Sequence, residues 1–202
     1  MSTIRLHCAT GAAIEPYLAD LARLRIHVFR HWPYLYEGSV DYEMQYLTTY
    51  LRTPRSICVM AQVDNEIVGA STGLPISDET AEFQAPFLSA GWDITRIFYF
   101  GESVLLPEYR SQGIGHEFFN YRERHAASFG CFTHTAFAAV DRPLEHPLRP
   151  LDYREHTEFW HKRGYSRANN LTMRLSWPEV GQTQPTEKPL TFWLRPNVLT
   201  AS

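Results

Sequence analysis

Cysteine is scarce in this sequence: Cys8, Cys58 and Cys131 are an odd number without metal-ligand spacing. The first residues show neither a basic n-region nor an apolar h-region. Together these features predict a reducing, cytoplasmic setting. No stretch reaches the roughly 18 uninterrupted apolar residues of a membrane span, so a soluble chain is expected. An excess of positive charge is missing as well, with 19 Lys and Arg against 22 Asp and Glu and a formal net charge of -3. Nothing global therefore draws the chain to nucleic acid or to an anionic membrane, although a local basic site is not excluded. Internal repeats and low-complexity tracts are absent. With 44% hydrophobic and 20% charged residues, a disordered, collagenous or coiled-coil chain is ruled out.

What is present is enough chain for one packed domain over 1–202, at 23.4 kDa. The pattern predicts a strand at Ile4–Cys8, then a helix from Ile14, Tyr17, Leu18, Leu21, Leu24 and Val28 at helical spacing. A ring-rich loop from Phe29 to Val40 leads to a helix capped by Asp41 and running to about Leu51. Period-two alternation at Ile57, Val59, Ala61 and Val63, an Asp64-Asn65 turn and a strand from Glu66 predict a hairpin. A short helix is expected around Glu79–Phe87. Further on come a strand at Ile97–Leu106, a helix from Gly113, a strand at Cys131–Val140 and a proline-rich loop at 141–150. A helix at Leu151–Arg163 stopped by Gly164, a strand at Leu171–Trp177, a polar linker at 178–189 and a strand at about 190–195 complete the chain.

The segment from Val104 to His116 places a glycine-bearing loop between a strand end and a helix start. The first amides of a helix lack internal partners and sit at the positive end of its dipole, so a diphosphate can accept several at once. Gly113 and Gly115 lack the Cβ that would hold the anion off the backbone, while Arg110 and Gln112 can close on it from the rim. Two glycines at this spacing also occur in ordinary strand-to-helix turns.

In context, Arg110-Ser-Gln-Gly113-Ile-Gly115 resembles the acyl-CoA-binding signature Gln/Arg-x-x-Gly-x-Gly/Ala of the GCN5-related N-acetyltransferase (GNAT) superfamily. Pro107 after the strand, Glu102 five residues before it, and Phe159-Trp160-His-Lys-Arg-Gly164-Tyr165 agree with that family. The resemblance implies an α/β (α+β) fold, a mixed central sheet of about six to seven strands flanked by about four helices. It also implies acetyl transfer from acetyl-CoA as co-substrate, without a metal, to an amine of a small molecule or a peptide. In this reading Arg110, Ser111, Gln112, Gly113, Ile114, Gly115 and His116 hold the diphosphate. The strand carrying Glu102 to Leu106 splays from the strand at Cys131–Val140, and backbone groups of Val104 and Leu106 pair with the pantetheine. An amide at Leu105 or its neighbour faces the thioester carbonyl. An alkyl amine, with a pKa near ~10, arrives protonated, and Glu102 is the implied base, directly or through water. A solvated or ion-paired strand carboxylate is the competing reading of Glu102.

Trp160 stands where many members of the family carry a phenol that protonates the leaving thiolate. An indole cannot act as that acid, so Trp160 is either packing or a wall against the cofactor. Tyr153, His156, His161 and Tyr165 remain open as donors.

The acceptor pocket implied by the resemblance involves Trp32 to Tyr36, Glu82 to Phe87 and the loop at 141–150. Tyr34 and Tyr36 are candidates to hold an amine by cation-π contact, with Asp41, Glu43 or Glu82 supplying charge. Arg142, His146 and Arg149 would instead favour a carboxylate-bearing acceptor or the CoA 3'-phosphate. Core packing or a dimer surface explains the rings equally well. A zinc site is disfavoured, because His27 and His31 lack a third ligand and His156 and His161 point apart on a helix. A serine hydrolase and a P-loop are disfavoured by the absence of an elbow motif and of Lys-Ser/Thr after Gly115. A non-catalytic acyl-CoA-binding or interaction module is the alternative, and a homodimer through the later strands is expected by analogy.

Overall fold

The computed structural model describes residues 3–197, so the expected domain over 1–202 extends past the described residues at both ends. Strand β1 (Arg5–Ala9) is followed by a 3-10 turn and helix α1 (Leu18–Phe29). Helix α2 (Val40–Arg52) begins at Ser39, whose hydroxyl accepts from the Tyr42 N–H at 3.4 Å. Asp41, predicted as the cap, lies inside the first turn, where a carboxylate still favours the positive helix end. The hairpin of β2 (Ile57–Val63) and β3 (Glu66–Pro75) turns at Asp64 and Asn65, both left-handed, as two-residue hairpin turns require. Helix α3 (Ala81–Ser89) precedes the short strands β4 (Ile97–Phe100) and β5 (Ser103–Leu105). Helix α4 (Ile114–Ser128), strand β6 (His134–Val140), helix α5 (Thr157–Lys162), β7 (Ser166–Trp177) and β8 (Thr186–Pro196) complete the order.

The strands form a mixed eight-stranded sheet in the order β1-β2-β3-β4-β6-β8-β7, with β5 paired to β3. Among the described residues only β4 and β6 pair in parallel, joined by the α4 crossover. Period two in β2 divides its side chains between two cores. Cys58 and Met60 join α1, α2 and α3 on one face, while Ile57, Val59, Ala61 and Val63 meet α4 on the other. Among the described residues, no helix is long and apolar enough to cross a membrane.

Further expectations need correction, since β6 starts at His134 rather than Cys131 and β7 at Ser166 rather than Leu171. The strand predicted over Ile97–Leu106 is broken. Tyr99 faces Leu74 and Ser103 faces Ser71, so four steps along one strand match three along β3. The extra residue makes a bulge at Gly101-Glu102, and β5 lies off the main order of seven strands. The helix predicted over Leu151–Arg163 is only six residues long, because Leu151 is fully exposed and the preceding segment is held in turns, such as Tyr153 N–H to Pro150 O at 3.1 Å. Strand β8 begins at Thr186, which shortens the polar linker to 178–185.

Candidate active site

The loop before α4 offers a row of unused donors. Ser111 and Gly113 are left-handed, with φ of +61° and +82°, and successive turns of this kind point backbone amides to one side. Among the described residues, no N–H from Ser111 to Gly115 has an acceptor, whereas Arg110 donates to Pro107 O and His116 to Gly113 O. A Cβ on Gly113 would meet nothing within 4 Å, and one on Gly115 only Phe159 Cζ at 4.0 Å. That open space over five amides is what a diphosphate needs, so these residues fit the group. The His116 amide is spent on closing the first helical turn, and its ring packs on Phe159. Ile114 lends its amide while its side chain is buried. The side chains of Arg110 and Gln112 reach Leu105 O and Glu108 O, each at 3.2 Å, on the exposed rim.

Next to the cradle the sheet opens. Pairing of β4 with β6 ends at Phe100 and Phe137, after which β5 follows β3 and Ala138 to Val140 pair only with β8. The Leu106 N–H donates to Val68 O at 2.9 Å, and Val104 faces Ala70. Backbone groups alternate sides along a strand, so Val104 and Leu106 are turned into the sheet and Leu105 toward the gap. The backbone groups of Val104 and Leu106, expected to pair with pantetheine, are thus engaged with β3.

The bulge presents Glu102 to a buried charge cluster. Arg25 Nη1 lies 2.6 Å from Glu102 Oε2, an ion pair without hydrogen-bond alignment, and Arg25 Nε bonds Glu43. All three residues are buried. The two carboxylates hold Arg25 charged against the cost of burial, and its guanidinium stacks on Tyr46 and Phe29. Burial and the Glu43 carboxylate keep the Tyr36 hydroxyl protonated, which places Tyr36 behind Glu43. Tyr34 is more central. Its hydroxyl is pushed up to about 12 by burial, and Arg25, Tyr153 and Glu102 all act on it.

Sequence reasoning missed Arg25, Tyr46, Tyr50 and Glu79. Burial pushes Glu79 up to about 7. Arg25 was detectable as a charge inside the apolar stripe of Leu21, Leu24 and Val28. Tyr46 and Tyr50 follow Glu43 at helical spacing, whereas Glu79, in a coil, gave no signal.

An aromatic wall closes the far side. Trp160 packs against Phe137, Trp193 and His156, and Tyr153 continues it from His156 to Trp32. Burial, then Arg110, lowers His156. Arg142 is not free for an acceptor carboxylate: it donates to Pro33 O at 2.7 Å and Tyr34 O at 2.9 Å and pairs with Glu179 at 2.6 Å. Glu82 and Asp41 are exposed, and Glu82 lines a cavity of about 680 Å³ between α3 and β7. Its lining includes neither Glu102, Arg25 nor the cradle residues.

The fold is shared with solved acetyltransferases. The chain superposes on an aminoglycoside 6'-N-acetyltransferase complexed with coenzyme A (TM-score 0.59, 18% identity, 97% of this chain and 99% of that one). It also matches yncA from Salmonella typhimurium, solved with its cofactor acetyl-CoA (0.58, 10%, 98% and 96%). A third likeness is the ribosomal-protein-alanine N-acetyltransferase from Brucella melitensis (0.61, 12%, 95% and 99%). At these identities the likeness establishes the fold alone. No curated protein matches the chain in sequence. The family model described as "Acetyltransferase (GNAT) family" matches residues 24–151, which contain Arg25, the bulge, the amide cradle and β6. With more than half of its length in that match, the chain belongs to the GNAT acetyltransferase family.

Proposed function

We propose that the protein transfers an acetyl group from acetyl-CoA to an amine of a small molecule or a peptide, by direct attack while both are bound. The observation that carries this reading is the run of five unpartnered amides from Ser111 to Gly115, a donor set with no use inside the protein. Acetyl-CoA, when bound, supplies an acetyl group activated as a thioester. The cradle amides and Arg110 take the diphosphate, and the Leu105 backbone lines the gap.

One buried guanidinium, Arg25, is set among the buried carboxyls of Glu43, Glu79 and Glu102. On the face of the sheet that carries α1 and α2, the carboxyls of Glu43 and Glu102 outnumber Arg25, which favours a cationic acceptor over a carboxylate-bearing one. Arg25 engages Oε2 of Glu102, leaving Oε1 to take the proton that an ammonium must lose before it attacks. Tyr34 flanks that position, and Trp160 acts as a wall.

Titration calorimetry with acetyl-CoA, CoA and ATP, followed by thiol release on a panel of amines, tests the reading. Binding of the CoA compounds in preference to ATP, and turnover on a cationic amine, are expected. Absence of acyl-CoA binding ends the proposal, and binding without turnover on any amine replaces it with a non-catalytic acyl-CoA-binding module.

A further inference from the structure

We infer that Glu79 is the proton outlet of the acceptor site, receiving protons from the bulge through Tyr50 and releasing them to solvent beside α2. The inference rests on the acetyl-transfer reading above. Tyr50 is wholly buried, and its hydroxyl lies 2.0 Å from where a Cβ on Gly101 would stand, directly over the residue preceding Glu102. The same hydroxyl donates to Glu79 Oε1 at 3.5 Å and meets the Tyr46 hydroxyl at 3.2 Å. Glu79 Oε2 accepts the Thr80 N–H at 3.2 Å. On its other side Glu79 lines a surface cavity of about 240 Å³ with Thr49, Arg52, Thr53, Asp78 and Thr80. A carboxyl that is 5% exposed therefore joins a buried hydroxyl column to open space.

The chemistry needs such an exit. Glu102 is held beside Arg25 in a buried cluster, so a proton it takes from the ammonium has to leave before the next turnover. The groups facing Glu79 are Arg25 from α1, Tyr46, Tyr50 and Arg52 from α2, Glu102 at the bulge and Tyr99 from β4. Its neighbour Asp78 is met by Arg55 at 3.9 Å. Burial dominates over the Thr80 amide and lifts Glu79 to about 7, which suits a group that must both accept and release protons near neutrality. In the step, one N–H bond of the bound ammonium breaks and its proton enters the site at Glu102. Glu102 releases it to a bridging water, which protonates the Tyr50 oxygen as that hydroxyl's own proton passes to Glu79 Oε1, and Glu79 gives that proton to solvent.

The test compares wild type with Glu79→Gln and Tyr50→Phe, using two kinds of acceptor. Phenethylamine and spermidine arrive protonated, whereas methoxyamine is already neutral at pH 7. The inference expects kcat/KM for the alkyl amines to fall about 10- to 100-fold in both variants while methoxyamine stays within about 3-fold. Acetyl-CoA affinity should be unchanged, and the wild-type acid limb near pH 7 should vanish in Glu79→Gln. Equal losses on both kinds of amine, or unchanged alkyl-amine rates in an active enzyme, overturn the outlet alone. A wild type that binds acetyl-CoA but acetylates none of these amines overturns the acetyl-transfer reading and the outlet with it. Should Glu79→Gln fail to fold, Tyr50→Phe carries the same comparison.

Discussion

Arg122 Nη1 donates to the carbonyl oxygen of Glu102 at 3.0 Å and, from the same nitrogen, to that of Thr72 at 3.2 Å. Its Nη2 reaches Ser103 Oγ at 2.8 Å and its Nε reaches Phe118 O at 3.1 Å. A bulge leaves strand carbonyls divergent, and a planar guanidinium is the one side chain that can gather them from below. Burial lowers Arg122 to about 10, which still leaves it charged at neutral pH. It rests on Phe100 and Phe119, so α4 fixes the angle at which Glu102 leaves the sheet.

Replacing Arg122 by Met removes four hydrogen bonds from the bulge and α4, although Glu102 O keeps the Thr72 N–H and Thr72 O keeps the Gly101 N–H, and should cost about 1 to 3 kcal/mol. Urea denaturation reads this as a lower midpoint. Arg122→Lys keeps the charge but not the fork, and should recover only part of the loss. A midpoint for Arg122→Met equal to that of wild type would show that the bulge holds without the pin.

Arg25 and Glu102 make the second buried relationship. Arg25→Met leaves Glu43 and Glu102 without a counter-charge, a loss of about 3 to 5 kcal/mol. Adding Glu102→Gln to that variant should restore part of the stability, because it removes one of the stranded carboxylates. Glu102→Gln alone is expected to cut turnover by about 10² or more with little change in acetyl-CoA affinity. Full activity in that variant removes Glu102 from the mechanism.

The parts of this molecule that were legible in the sequence are those where side-chain pattern and backbone geometry coincide. Alternation from Ile57 to Val63 and the Asp64-Asn65 pair gave the hairpin, and Gly113 marked the start of α4 because a left-handed cap favours glycine. The bulge was hidden, since Gly101 and Glu102 sit in one aromatic and branched run and register is a property of the partner strand. Hence the pattern did not show that Val104 and Leu106 face β3 while Leu105 faces the gap. Glu79 was hidden for another reason: a carboxyl becomes chemically special through what buries it, and Tyr50 is 29 residues away.

Gly113 permits a test of the cradle that spares the fold. Valine there would adopt φ of +82° at a cost of about 1 to 3 kcal/mol, yet its Cβ would clash with nothing. It would project instead into the open space beside the loop. Calorimetry should show acetyl-CoA affinity reduced at least about tenfold while circular dichroism is unchanged. Wild-type affinity in Gly113→Val would mean that the anion does not sit on this loop.

Glu79 also makes a prediction about stability that needs no substrate. Its pKa is about 7 in the folded protein and about 4.3 in an unfolded chain. Between those values the folded state keeps a proton that the unfolded state has released, so stability falls as pH rises through the window and this group adds no further slope above it. The loss between pH 5 and pH 8 amounts to about 2 to 3 kcal/mol. Glu79→Gln carries no proton to lose, so its denaturation midpoint should exceed that of wild type at pH 8 by more than at pH 5. Parallel pH profiles for the two proteins would mean that water reaches Glu79 freely through the cavity at Arg52 and Thr53 and that its carboxylate is not penalised by burial.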